Sequence, residues 1–561
     1  MPDLILGQDW LRPAHHLPAC RFGRAATEFK TIVGAVARHA NVMPDAPFLT
    51  GSFGEESATL SYQQAHLEIQ WRAALLAHWG MKRGERVGII GRNSIDLVLA
   101  VLATLEATGV GVLLDHNDPP ARVAARAEFT NARFVLHDAV STSLAEACGS
   151  AERLCTFDQF AQLSASRQDT VVNEPPKPTD GALIFFTSGT TGMPKAVVQS
   201  HYSVAQNAYS LARHHGIAAG VRLMCVLPLH HVNGLEFTVF SAMSGGGHTF
   251  IQRGFDGLNF WKQADEAGVH IVSLVPNLLR LLAERPQLRG GRAPQLRYAV
   301  SAAAPLSTTV ARSVWESLGL RIVQGYGLSE VTNFSCVMPP NSTEQEYDRW
   351  MLQGPRTSVG PALPGQEVRI RCGDEPAQLG TEGEVLIRGH CVMNGYLHNE
   401  AATEAAFAGG WFHTGDVGYY LEDDDQHSFI HLSGRSREIA KRSGALVNLL
   451  ELDEVLASIP GVAEAASASF SNTWVDEEIG AAVVRSPGTA LTQDGIVEHC
   501  RRVLPFAAVP KAILFVEEIP RTVTGKIRRG EIAQRFSEFR ETLFREPPAQ
   551  RNSVSSQGEN P

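Results

Sequence analysis

Nine consecutive residues concentrate groups that could hold phosphate: Thr187, Ser188, Gly189, Thr190, Thr191, Gly192, Met193, Pro194 and Lys195. They follow the apolar run Leu183-Ile184-Phe185-Phe186, which reads as a buried strand. The glycines permit positive φ, so successive backbone N–H groups can converge on one anion. The hydroxyls add donors, and Lys195 adds charge. This is the chemistry of a phosphate cradle, although the G-x-x-x-x-G-K-[ST] spacing of the common P-loop is absent. Taken alone, the same residue types also suit a polar turn after a strand.

Other constellations follow along the chain. In Gln324-Gly325-Tyr326-Gly327-Leu328-Ser329-Glu330, two glycines flank an aromatic, which lets the backbone run flush against a planar base. Ser329 offers a hydroxyl to phosphate and Glu330 a hard oxygen to Mg²⁺; a generic Gly-Tyr-Gly turn is the alternative. Asp416, after the Thr414-Gly415 turn, suits bidentate acceptance from two ribose hydroxyls, and equally suits capping that turn. His230 and His231 follow Pro228; adjacent histidines of this kind are commonly a surface or satisfied core pair. The run Lys526-Ile527-Arg528-Arg529 would by itself be a solvated face.

The order of these words carries more than any one of them. S-G-T-T-G-x-P-K at 188–195 resembles the nucleotide signature of the adenylate-forming (AMP-binding) superfamily. Pro520-Arg521-Thr522-Val523-Thr524-Gly525-Lys526-Ile527 resembles its lysine loop, and Leu227-Pro228-Leu229-His230-His231-Val232-Asn233-Gly234 its P-L-x-H-x-x-G segment. From about residue 30 to 540 the motifs keep the family's order, most like acyl-CoA synthetases. The resemblance implies roles. Lys526 would bridge the α-phosphate and the attacking carboxylate, and Glu330 would hold the metal. Lys195 and the loop Thr187, Ser188, Gly189, Thr190, Thr191 and Gly192 would hold the β- and γ-phosphates. His231 would sit where carboxylate meets nucleotide, with Asn233, Gly234, Ala302 and Gly325 on the acyl pocket. Ala303, Gln324, Gly325, Tyr326, Gly327 and Ser329 would contact the nucleotide, Asp416 its ribose, and Arg435 the ribose–phosphate region. Arg437 takes the hinge position, where Lys or Asp is usual. Ala302 stands where the family usually has Gly, which implies a narrower or shallower pocket, and Leu449 stands for the usual Pro near the thiol tunnel.

Elements must position these groups. Strand-like runs at 86–90, 109–114, 133–136 and 182–186 alternate with helical stretches, the pattern of βαβ units and mainly parallel sheets. The expected fold is α/β: a large N-terminal domain of such units plus a small β-rich subdomain (383–389 and 394–397), then a small α+β C-terminal domain. The expected boundaries are 1–436, 437–540 and a disordered tail at 541–561. At 561 residues the chain exceeds one ordinary core. Its net charge of −10 argues against a broad nucleic-acid surface. Its eight scattered cysteines offer no C-x-x-C pair, which suggests reduced thiols in the cytoplasm. The longest apolar stretch, Leu97 to Leu105, is too short to span a bilayer.

The function implied is ATP-dependent activation of a carboxylic acid to an acyl-adenylate, with Mg²⁺, followed by transfer to the thiol of CoA. Loading of a separate carrier protein is the alternative acceptor step. A catalytically silent binding protein is disfavoured by the presence of Lys526, Glu330 and Asp416. A homo-oligomer is compatible with all of this.

Overall fold

A helix that is apolar on every side can only be stable inside a protein. The stretch from Leu97 to Leu105 obeys this in the computed structural model. Helix Ile95–Glu106 is buried along its length up to Leu105, and the Ser94 hydroxyl caps it by accepting from Leu97 N–H at 3.1 Å. The structure describes residues 31–544, apart from 55, 168–173, 188–194, 286–287, 289–292, 305, 374, 436–438, 443–444, 474–475, 505–507, 523–525 and 543. The chain divides into two compact units between Ser433 and Gly434.

In the first unit, two sheets carry the βαβ pattern. A seven-stranded sheet runs Gly395–Tyr396, Ala196–Ser200, Gly181–Phe186, Val110–Leu114, Arg86–Ile90, Ala132–His137, Arg153–Thr156. From Gly181–Phe186 to Arg153–Thr156 every pairing is parallel. Val110–Leu114 is buried throughout and Gly181–Phe186 up to Phe185, as strands covered on both faces must be. An eight-stranded sheet runs Phe334–Val337, Arg321–Gly327, Tyr298–Ser301, Ile271–Ser273, Arg222–Cys225, His248–Ile251, Pro47–Phe53, Glu56–Ser61. Its interior is parallel and its two ends are antiparallel pairs. Ser61 caps helix Tyr62–His78 through a reciprocal bond with Gln64, as a strand running straight into a helix requires.

A third sheet of six strands, Ser358–Gly360, Ser428–Arg435, Phe412–Glu422, Gly383–Gly389, Gln366–Cys372 and Glu375–Pro376, is the small β-rich part. The expected grouping needs one correction. Gly395–Tyr396 does not join this sheet; it pairs antiparallel with Ala196–Ser200 and closes the edge of the seven-stranded one. After His231, Asn233–Ser241 is a π-helix, all nine residues buried. Among the described residues no helix is long and apolar enough to cross a membrane.

The second unit is a small α+β body. Val462–Asn472 and Asp476–Arg485 form a long antiparallel pair, with Ala512–Phe515 added in parallel. Helix Leu449–Ala457 packs on that sheet, capped by the Asn448 side chain at Leu450 N–H, 3.0 Å. Residues 545–561 of the expected tail lie outside the described residues.

Candidate active site

The expected phosphate loop leaves the end of strand Gly181–Phe186 and returns into Ala196–Ser200, where parallel α/β sheets place their ligands. Thr187 closes its base: its N–H donates to the Lys195 carbonyl at 3.0 Å, and its hydroxyl reaches the same oxygen at 3.4 Å. Ser188, Gly189, Thr190, Thr191 and Gly192 lie outside the described residues. The Lys195 ammonium stands over the ring of Tyr396, 4.4 Å from its centroid. The Tyr396 hydroxyl donates to Glu330 Oε1 at 3.1 Å. One aromatic side chain therefore joins the loop lysine to the expected metal carboxylate. The sequence reading missed Tyr396, treating 394–397 as structural.

Glu330 is buried on the short turn Ser329–Val331, and that turn is braced from several sides. The Gln199 amide donates to the carbonyls of Ser329 and Thr332 at 3.0 and 3.2 Å. Met393 N–H donates to the Glu330 carbonyl at 2.8 Å. Thr332 takes φ 69° and ψ −68°. With Asn333 N–H donating to the Val331 carbonyl at 2.9 Å, this is a γ-turn of the rare positive-φ kind. A β-branched residue is strained there, and Thr332 is held by its hydroxyl donating to the Cys391 carbonyl at 2.7 Å.

Tyr326 and Asp416 come together in the interior. The phenol donates to Asp416 Oδ2 at 2.6 Å, and burial, with the nearby carboxylate, pushes the Tyr326 pKa well above its ordinary value. Thr414 sets the carboxylate by accepting from Asp416 N–H at 3.0 Å while donating to the Val385 carbonyl at 2.7 Å. The flanking glycines have a second explanation besides a flush base. A Cβ on Gly325 would touch the Phe334 ring at 3.2 Å, and one on Gly327 would lie 1.6 Å from the Asn333 carbonyl. Packing between Arg321–Gly327 and Phe334–Val337 requires glycine at 327 and leaves little room for a side chain at 325. Gln324 is buried beside them, and Ser329 lends its carbonyl to Gln199.

His231 lies on the turn that enters the π-helix. Its N–H donates to the Pro228 carbonyl at 3.1 Å, and the Asn333 amide holds the next carbonyl, Val232, at 3.2 Å. Asn333 thus ties the His231 turn to the γ-turn beside Glu330. Asn233 is buried and accepts from the Ser273 hydroxyl at 2.8 Å. Gly234 is where the helix meets the preceding loop, for a Cβ would lie 2.2 Å from the Pro228 carbonyl oxygen. Ala302 is buried in an apolar cluster, whereas Ala303 takes φ 72° with its side chain exposed.

In the second unit, the expected lysine loop is closed at its base. Thr522 N–H donates to the Lys526 carbonyl at 2.8 Å, and Lys526 N–H donates to the Thr522 hydroxyl at 3.1 Å. Arg521 pairs with Glu464, and Arg529 pairs with the half-buried Asp453 at 2.6 Å, so both ends of the loop are anchored by ion pairs. Of Arg435 the structure describes only the backbone, at the end of strand Ser428–Arg435, and Arg437 lies outside the described residues.

Two family models match this chain: AMP-binding enzyme over residues 36–397 and AMP-binding enzyme C-terminal domain over 451–526. The oxalate–CoA ligase of Arabidopsis thaliana is 28% identical over 535 residues, covering 91% of this chain and 99% of its own length. The long-chain-fatty-acid–CoA ligase FadD13 of Mycobacterium tuberculosis is 27% identical over 486 residues, covering 85% and 93%. Among solved structures, ATP-bound MatB from Rhodopseudomonas palustris superposes with a TM-score of 0.80 at 22% identity, covering 91% of this chain and 100% of that one. The o-succinylbenzoate CoA synthetase of Bacillus subtilis, with its acyl-adenylate, gives 0.75 at 22% identity, covering 89% and 97%. At that identity the structures speak to the fold.

Proposed function

Because this chain belongs to the AMP-binding enzymes, we propose that it joins a carboxylic acid to ATP, releases pyrophosphate and passes the acyl group to the thiol of CoA. The observation that carries the site assignment is the contact chain Lys195–Tyr396–Glu330 at the base of the phosphate loop. In the first step a carboxylate oxygen attacks the α-phosphorus and the bond to the β-phosphate oxygen breaks. Both reactants are anions, so the enzyme's work is positioning and charge neutralisation. Lys526 neutralises the carboxylate and α-phosphate as they meet. Lys195, held over the Tyr396 ring, faces the departing phosphates. Asp416 takes the ribose hydroxyls. In the second step the thiol sulfur attacks the acyl carbonyl and AMP leaves.

Glu330 fits Mg²⁺. It is a buried carboxylate whose Oε1 is aimed by the Tyr396 hydroxyl, and Mg²⁺ in nucleotide sites typically uses one or two carboxylates with water and phosphate oxygens. The ion would offset phosphate charge there. We place the enzyme in the cytoplasm, since the described cysteines are all free thiols.

Pyrophosphate exchange across a panel of acids, followed by CoA with the best acid, tests this reading. The expected result is acid-dependent exchange, AMP as product and acyl-CoA. Formation of ADP and phosphate would overturn it, since this chemistry cleaves at the α-phosphorus. Transfer to a carrier protein and not to CoA would replace the second step alone.

A further inference from the structure

Three metal-ligating side chains that the adenylation chemistry does not use meet at the carboxyl ends of two strands. Asp115 and His116 directly follow Val110–Leu114, and His230 lies on the turn after Arg222–Cys225. His230 Nε2 is 3.4 Å from Asp115 Oδ1, and His116 Nδ1 is 4.0 Å from the same oxygen. All three ligand atoms lie within 4.8 Å of one another. Both nitrogens are buried, and neither has a hydrogen-bond partner among the described residues. Two orphaned buried nitrogens directed at one carboxylate are costly unless something satisfies them together. The carboxylate itself is held, since Asn117 donates to Oδ1 from its backbone N–H at 2.8 Å and its amide at 3.2 Å. The cation facing His230, Arg126, is already paired with Asp118.

We propose that Asp115, His116 and His230 bind one divalent transition-metal ion of the zinc class, distinct from the Mg²⁺ that accompanies ATP. Two imidazoles and one carboxylate suit Zn²⁺ or Co²⁺ and leave a position for water, whereas Mg²⁺ prefers oxygen alone. Tetrahedral ligands on zinc stand about 3.3 Å apart. The His230–Asp115 separation of 3.4 Å already matches, the 4.0 Å to His116 has to close by about 0.7 Å, and the two imidazole nitrogens, within 4.8 Å of each other, by up to about 1.5 Å, all within reach of side-chain rotation. The ion would staple the end of a central strand to the turn carrying His231, whose ring centroid is 4.4 Å from that of His230.

The test uses the untagged full chain, freed of metal by chelator and dialysed, without ATP or acid. Zn²⁺ binding is measured by equilibrium dialysis in millimolar Mg²⁺, and Co²⁺ binding by its visible absorption. One equivalent of Zn²⁺ per chain is expected, retained against Mg²⁺. His230→Phe and His116→Gln are each expected to weaken binding by about tenfold or more and to abolish the Co²⁺ band. Their metal-free melting temperatures report folding, and the wild-type stoichiometry is read independently of either variant. Binding below one equivalent, displacement by Mg²⁺, or affinity unchanged from wild type in both variants would overturn the proposal and leave a buried water as the partner of these nitrogens. Because no substrate is present, such a failure leaves the ligase reading untouched.

Discussion

The phenol of Tyr396 serves two charges, taking the Lys195 ammonium on its face and orienting Glu330 with its hydroxyl. Tyr396→Phe keeps the ring and removes the hydroxyl. A hydrogen bond to a charged group is worth about 1.5–3 kcal/mol, so pyrophosphate exchange at limiting Mg²⁺ should fall roughly 10- to 100-fold and recover in part at high Mg²⁺. Exchange equal to wild type at every Mg²⁺ concentration would make the hydroxyl a packing group. Lys526→Ala should abolish exchange yet leave thioester formation from preformed acyl-adenylate largely intact; equal loss in both assays would make the lysine structural. Lys526, Glu330 and Asp416 could be singled out as candidates because each sits in a word of fixed spacing. Tyr396 was not, because a tyrosine after Asn394-Gly395 has no diagnostic spacing and its meaning depends on which sheet it joins. His116 left one usable signal: an Asp-His pair directly after a wholly apolar strand marks the ligand-binding end of a parallel sheet.

At the scale of elements, the alternation of strands and helices was readable because buried parallel strands are continuous apolar runs. The π-helix at Asn233–Ser241 was not, since a segment buried on all sides carries no period to count. Glu236 on that helix is 2% exposed, and burial raises its carboxyl pKa well above the ordinary value. The folded state therefore holds a proton that the unfolded chain releases above about pH 4.5, and stability falls as pH rises through that window. Glu236→Gln removes the titration at nearly constant volume. Thermal melts should show a larger gain for the variant at pH 8 than at pH 5, and an equal or reversed difference would mean that the carboxylate is ionised in the fold.

Across the whole molecule the opposite titration dominates in acid. Burial lowers His201, His248 and His431 to about 4, and lowers His215 well below its ordinary value. Each is neutral when folded and takes up a proton below about pH 6.5 when unfolded, a difference worth about 1.4 kcal/mol per pH unit for each group. Denaturant midpoints should fall steeply from pH 6.5 to 4 and level off below; a flat profile would mean that these histidines ionise without unfolding. The division at Ser433/Gly434 falls close to Arg437, which the resemblance places at a hinge between the two half-reactions. Were Arg437 the hinge that the resemblance implies, Arg437→Pro, which fixes φ, should keep adenylation while losing thioester formation, whereas Arg437→Ala should keep both. Identical behaviour of the two variants would move the hinge elsewhere. The two-residue strand Gly395–Tyr396 sets a different clock, that of synthesis. It covers the edge of Ala196–Ser200, a strand made some 195 residues earlier, so at 5–20 residues per second that apolar edge waits roughly 10–40 s on the ribosome for its partner. The contact that unites the phosphate loop with Glu330 is thus among the last the first unit can make, and a nascent chain halted before Gly395 would present to its neighbours the strand that should have become the floor of its own site.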